Sequence, residues 1–258
     1  MTISAKIPRV AVVTGGGQRL GRAAVMELAR LGFDVAVHCR GNRDAAEATA
    51  GDVRDLGRRA VVVQADLAVE AEVGGVIGTV MAALGPVGVL INNASLFDRD
   101  EWDTVTRETW DAHMEPNLRA PFVLMQDFAR HLPATAEGVV INLLDQRVLS
   151  LTPHFVSYTL SKAGLWALTQ TMALALAPRI RVNGIGPGPA LPSPRQSAEQ
   201  FAKQSASVPL GHGTGPDEIA RAVAAILALP AMTGQMIALD GGQHLQWASE
   251  AAVGAPEE

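Results

Sequence analysis

Short apolar runs alternate with helix-length amphipathic segments almost from one end of this chain to the other, and that alternation restricts the fold more than any single residue does. Residues 10–13, 35–37, 60–63, 89–91, 139–143, 180–185 and 236–239 are near-continuous runs rich in Val, Ile, Leu and Ala, too short for helices. Strands without polar alternation are buried on both faces, as in parallel sheets covered by helices. Between them apolar residues recur at helical spacing, as in Leu20, Ala24, Leu28 and Leu31, or Leu165, Leu168, Met172 and Leu176. Helices are expected over about 20–31, 44–56, after the third run to about Leu84 (closed by Gly85-Pro86), and over 103–115, 117–132, 158–177 and 216–229. The expected architecture is α/β, doubly wound, with about seven parallel strands and helices on both faces. No linker divides the chain, so one domain is expected over 1–258.

The pattern breaks over 186–216, a stretch rich in Pro, Gly and Ser with a weak helical patch around 198–205. A segment this long between elements reads as a lid or substrate loop, with Leu191, Pro192 and Leu210 as expected lining. The tail over 248–258, after Trp247, is rich in Ala and Glu and is expected to fray. With 48% apolar and 18% charged residues the chain can bury a large core, and a net charge of −5 offers no footprint for nucleic acid. The one cysteine, Cys39, excludes an internal disulfide, and six scattered histidines give no metal-ligand spacing, so no metal is expected. The sequence shows no secretory leader and no apolar run of membrane-spanning length; a cytoplasmic protein is expected.

In a sheet of this kind ligands bind beyond the carboxyl ends of the strands. After the first run comes Thr14-Gly15-Gly16-Gly17-Gln18-Arg19-Leu20-Gly21, a glycine turn that lets backbone N–H groups approach a pyrophosphate at a helix N-terminus. That marks a Rossmann-type dinucleotide site, with Gly15, Gln18, Arg19, Leu20 and Gly21 as its candidate residues. After the second run the chain reads His38-Cys39-Arg40-Gly41-Asn42, with no carboxylate for a ribose hydroxyl. Arg40 and Arg19, with His38 and Asn42 beside them, point to a 2′-phosphate and therefore to NADPH. The third and fourth runs end in Asp66-Leu67 and Asn92-Asn93-Ala94-Ser95, which are also ordinary turn chemistry.

The only tyrosine of the chain lies in Tyr158-Thr159-Leu160-Ser161-Lys162. Side chains at i and i+4 share a helix face, so the ammonium of Lys162 stands near the phenol of Tyr158 and favours its phenolate. A lysine stem merely passing an aromatic ring is the plainer alternative.

Together these strand-end stretches resemble the short-chain dehydrogenase/reductase family over about residues 9–245, including Asn117, Pro187-Gly188 and Asp240-Gly241-Gly242. The resemblance implies hydride transfer from a nicotinamide cofactor, bound also through Asp66, Leu67, Asn93, Ala94, Pro187 and Gly188. It implies Tyr158 as proton donor, Lys162 as the residue that holds the nicotinamide ribose and lowers the tyrosine pKa, and Asn117 as organiser of a relay water. It also implies a homotetramer with interfaces over 103–132 and 158–177, and gives Trp247 a place at a neighbouring subunit's site or interface.

Two departures refine the expectation. Asp145 stands where the family has a serine, and Arg19 where the phosphate turn has a glycine. A carboxylate repels a developing ketone oxyanion but suits a ring with N–H donors. With Ser95 and Phe97 after the fourth strand, these residues resemble the pteridine reductase branch, in which a flat heterocycle stacks between a phenylalanine and the nicotinamide. Arg19, Ser95, Phe97, Asp145 and Tyr158 are then the expected substrate contacts. Plainer roles stay open: Phe97 folded onto the core, Asp145 capping a nearby backbone group. The expected activity is NADPH-dependent reduction of a ring C=N bond in a dihydropterin or dihydrofolate. Carbonyl reduction and a non-catalytic NADP-binding regulator are the alternatives.

Overall fold

The computed structural model describes residues 2–193 and 195–246; Trp247 and the tail over 248–258 lie outside them. Seven strands, Val10–Val13 (β1), Asp34–Cys39 (β2), Ala60–Gln64 (β3), Val89–Asn92 (β4), Gly138–Leu143 (β5), Ile180–Pro187 (β6) and Met236–Leu239 (β7), form one sheet in the order β3-β2-β1-β4-β5-β6-β7. Every neighbouring pair is parallel. The chain runs outward from β1 to β3 and returns to place β4 on the other side of β1, so a switch point opens between the carboxyl ends of β1 and β4.

The helices are Arg19–Arg30 (α1), Arg43–Asp55 (α2), Glu70–Leu84 (α3), Arg107–Met114 (α4), Ala120–His131 (α5), Val156–Leu176 (α6), Ala198–Ala206 (α7) and Pro216–Ala228 (α8). Alternate residues of each strand feed two cores. Ala11 and Val13 pack with Val25 and Leu28 of α1, Val53 of α2 and Val223 of α8. Val10 and Val12 pack with Val76 and Ile77 of α3, Leu124 and Phe128 of α5 and Met172 of α6. Burial on both faces explains why the strand sequences lack polar alternation. Gly138 opens β5 because a Cβ there would lie 2.7 Å from the Phe128 ring.

Two expected boundaries differ. The helix expected from 103 starts at Arg107, because Thr106 and Thr109 form a reciprocal capping box that fixes the first turn. The helices expected over 103–115 and 117–132 are continuous, joined by a π-helical turn at Glu115–Arg119 that carries Pro116 and buries Asn117. The weak patch near 198–205 is a true helix, α7, begun by a Ser197–Gln200 capping box.

Candidate active site

The β1–α1 turn lies at the switch point. Gly15 has φ +61°, and a Cβ on Gly21 would lie 2.1 Å from the Gly15 carbonyl, so only glycine lets α1 start this close to the turn. α1 has no acidic residue in its first turn and no side-chain cap, so its first N–H groups face the cleft without a protein anion. Thr14 Oγ1 accepts from the N–H groups of Asn93 and Ala94, and Asn93 Nδ2 donates to the Thr14 carbonyl at 2.8 Å. The ends of β1 and β4 are thus tied together. A cleft of about 500 Å³ opens here, and Gly15, Gln18, Arg19, Leu20 and Gly21 line it from the turn. From the other strand ends it is lined by His38, Arg40, Asp66, Leu67, Asn93 and Ala94.

Several candidate residues have other positions or additional contacts. His38 is buried: Nδ1 accepts from the Gly15 N–H at 3.1 Å, and Nε2 donates to the Ala65 carbonyl at 3.0 Å. Burial lowers its pKa against the opposing pull of that carbonyl, so the neutral ring clasps the turn. Asn42 is absent from the cleft lining; its side chain accepts from Ala45 N–H and caps α2. Ser95, expected at the substrate, lines the cofactor-side cleft. Pro187 and Gly188 line a second cavity beside it. Asn117 is buried and holds Leu96 by both its N–H and its carbonyl, at 2.8 and 2.9 Å, and also donates to Ser161 Oγ. Those contacts pin the segment after β4 against α6.

The second cavity, of about 160 Å³, brings Asp145, Tyr158, Phe97 and Arg19 together under the 186–216 loop. Tyr158 and Lys162 are buried one helical turn apart on α6. Tyr158 Oη donates to Asp145 Oδ2 at 2.9 Å. Lys162 Nζ donates to the Leu143 carbonyl at 2.8 Å and lies 5.8 Å from the tyrosine ring centroid. Burial pushes the Lys162 pKa down to about 8, with Asp145 opposing. Asp145 also accepts from the Arg147 N–H, so its capping role and its contact with Tyr158 coexist. Phe97 stacks on Phe155 with centroids 4.7 Å apart and meets Tyr158 edge to face at the same distance, which makes one aromatic wall of the cavity.

Arg19 has φ +52°, a left-handed conformation that an arginine adopts at some cost. Its guanidinium donates to the carbonyls of Pro192 at 2.9 Å and Leu191 at 3.3 Å, so in this structure it ties the phosphate turn to the loop. From the loop, Arg195 donates to the Phe97 carbonyl and to Asp98. Leu191 lines the cavity as expected, whereas Pro192 and Leu210 are absent from its lining and Leu210 is 67% exposed.

The family model for short chain dehydrogenases matches residues 9–229. The chain belongs to the short chain dehydrogenase family. Among curated relatives of this short chain dehydrogenase, 3beta-hydroxysteroid dehydrogenase 1 of Eggerthella lenta is 32% identical, covering 92% of this chain and 94% of that protein. The 3-oxoacyl-[acyl-carrier-protein] reductase FabG of Staphylococcus epidermidis is 30% identical, covering 91% and 98%. Among solved structures, FolM alternative dihydrofolate reductase 1 of Brucella canis, complexed with NADP, is 46% identical, covers 95% and 98%, and superposes with a TM-score of 0.92.

Some residues of the site went unrecognised in the sequence. Gln146 and Arg147 line the cavity directly after Asp145, and Gln204 and Gln243 reach it from distant segments. Behind Tyr158, buried Ser157 hydrogen-bonds Asp100, and its Oγ lies 2.7 Å from His113 Nδ1. Adjacency to Asp145 was the one available signal for Arg147; a lone histidine in a helical stretch offered none for His113.

Proposed function

We propose that this short chain dehydrogenase is an NADPH-dependent reductase of a ring C=N bond in a dihydropterin or dihydrofolate, with Tyr158 as the proton donor. The observation that carries the reading is the 2.9 Å hydrogen bond between Tyr158 and Asp145 in a cavity also lined by Phe97. Such a pair presents an acceptor and a donor side by side to a flat heterocycle, with an aromatic wall to stack against. The NADP-bound FolM structure, 46% identical, supports the same assignment.

The cleft suits the cofactor: an uncapped helix N-terminus offers N–H groups to an anion, and Arg40 rather than a carboxylate lines it after β2. When bound, the nicotinamide supplies the hydride. Asp145 accepts an N–H of the substrate and orients the ring. Tyr158 Oη gives its proton to the ring nitrogen as the C=N bond becomes C–N–H. Lys162, a cation at pH 7 and close to the ring, stabilises the phenolate left behind. Asn117 keeps Leu96, and with it the neighbouring Phe97, in place against α6.

A ketone substrate is the second reading, favoured by the 3-oxoacyl reductase and hydroxysteroid dehydrogenase relatives. We also propose a cytoplasmic homotetramer; Leu160 and Leu174, exposed on α6, suit an interface there. The test is a steady-state screen with NADPH and NADH against dihydrofolate, dihydrobiopterin, dihydromonapterin, simple ketones and a 3-oxoacyl thioester. Oxidation of NADPH by a dihydropterin or dihydrofolate is expected. Turnover confined to ketones or thioesters sinks the reading.

A further inference from the structure

A carboxylate in the place of the family's uncharged serine alters the electrostatics of the proton donor. An anion 2.9 Å from the Tyr158 hydroxyl favours the protonated phenol and opposes the phenolate that proton donation leaves. Lys162 pulls the other way. With the carboxylate in direct contact with the hydroxyl, Lys162 is not the only charge that sets the field there.

A second cation stands at the site. Arg147 Nη1 lies 3.6 Å from Asp145 Oδ2, and its guanidinium carbon lies 5.9 Å from the Tyr158 ring centroid. The two side chains are only 13% and 18% exposed, so water screens the pair little. The arginine is held in place: its backbone N–H donates to Asp145 Oδ1 at 2.8 Å, and its guanidinium packs 5.2 Å from the Phe97 centroid and 4.9 Å from that of Phe155. Arg147 Nε is buried without a hydrogen-bond partner, so hydrogen bonding alone does not explain a guanidinium here.

We propose that Arg147 is a positioning residue that offsets the charge of Asp145, so that Lys162 still governs the field at the Tyr158 hydroxyl. Asp145 and Arg147 then act as one unit, the carboxylate being tolerable beside the proton donor because a guanidinium follows two residues later. The inference rests on the reading of Tyr158 as proton donor. It does not depend on which substrate is reduced.

Tyr158 is the only tyrosine in the chain, so the near-ultraviolet absorbance of phenolate titrates this one residue, the tryptophans having no ionisation to contribute. The charged and titratable groups facing it are Asp145 and Arg147 after β5, Lys162 on its own helix, and His113 of α4 at 6.1 Å with Asp100 behind it. The last two are unchanged in every variant. The experiment titrates the full-length chain as wild type, Arg147→Met, Arg147→Lys, Asp145→Asn and the Asp145→Asn/Arg147→Met double variant, with far-ultraviolet circular dichroism confirming the fold at each pH. Arg147→Met is expected to raise the Tyr158 midpoint by about one pH unit, and Arg147→Lys to restore most of that shift. Asp145→Asn alone is expected to lower the midpoint, and the double variant, which removes both charges, to titrate within about half a pH unit of the wild type. No shift in Arg147→Met, or a double variant displaced from the wild type as far as either single variant, overturns the proposal. Should Arg147→Met fail to fold, Arg147→Gln carries the same expectation. Retained turnover in Tyr158→Phe would count against the tyrosine reading alone and leave the charge measurement standing.

Discussion

Lys162 is where this site is most expensive to the fold, and Lys162→Met measures how much. The ammonium is 2% exposed and makes one hydrogen bond, to the Leu143 carbonyl. Burial lowers its pKa from 10.5 to about 8, against the pull of Asp145. At about 1.4 kcal/mol per pH unit, the folded state carries a penalty of about 3 kcal/mol at pH 7 relative to a lysine left in water. Methionine keeps the length, removes the charge and leaves the Leu143 carbonyl unpaired, a loss of about 1 kcal/mol. The variant should therefore be more stable than the wild type by about 2 kcal/mol at pH 7, or about 6 °C in Tm for a chain of this size. The sign fixes the pH dependence. A folded pKa below the unfolded one means the penalty is complete below about 8 and fades as pH rises toward 10.5, so the gap should close across that window. Thermal unfolding followed by circular dichroism at pH 7 and near pH 10 reads both values. A variant that melts below the wild type at pH 7, or a gap that is the same at both pH values, refutes the reasoning.

Tyr158→Phe removes only the phenolic hydroxyl and its bond to Asp145, so turnover should fall by about a hundredfold or more while NADPH titrates the protein with nearly unchanged affinity. Asp145→Ser restores the family's residue; the ratio of kcat/KM for dihydrofolate to that for a ketone should drop, and a ratio that rises would favour the carbonyl reading. Arg19→Gly relieves a left-handed arginine but releases the Leu191 and Pro192 carbonyls. Its Tm should hold or rise, while kcat/KM for the reduced substrate falls about tenfold; unchanged kinetics would show that the tie to the loop is idle.

The sheet was legible because its central strands are buried on both faces, so the runs that mark them are near-continuously apolar. Val10, Val12, Ala11 and Val13 divide between the two cores, which only a sheet covered on both sides allows. The junction at Glu115–Arg119 was not legible, since a π-helical turn changes the period for one turn only and Pro116 reads equally well as a helix start. Among the candidate site residues, Gly15, Gly21 and Asn93 sit where a turn or a strand end requires them, so their positions were legible from the backbone pattern. Residues defined by where a side chain points were harder. His38 and Asn42 occupy the stretch expected to meet a phosphate, yet one turns inward to Gly15 and the other caps α2. Residue type and spacing do not encode that choice, because either side chain can satisfy a backbone N–H as readily as a ligand.

The irregularities of the molecule are concentrated, and their location argues for the same site independently of any motif. Among the described residues, the non-glycine residues with positive φ are Arg19 and Phe155, one in the phosphate turn and the other at the cap of the helix that bears Tyr158. Of the buried side-chain atoms without a hydrogen-bond partner, Gln146 Oε1, Arg147 Nε and Ser193 Oγ belong to residues lining the Asp145–Tyr158 cavity, and Asn92 Oδ1 lies at the end of β4. Lys162 adds a fully buried cation to the same few residues. Each of these features destabilises the folded state by an amount on the order of 1–3 kcal/mol. Selection for stability alone would replace them with apolar side chains or glycine, as the evenly packed cores on either face of the sheet show it can. Their persistence together at the carboxyl ends of β1, β4 and β5 fits a ligand and a proton transfer that use them.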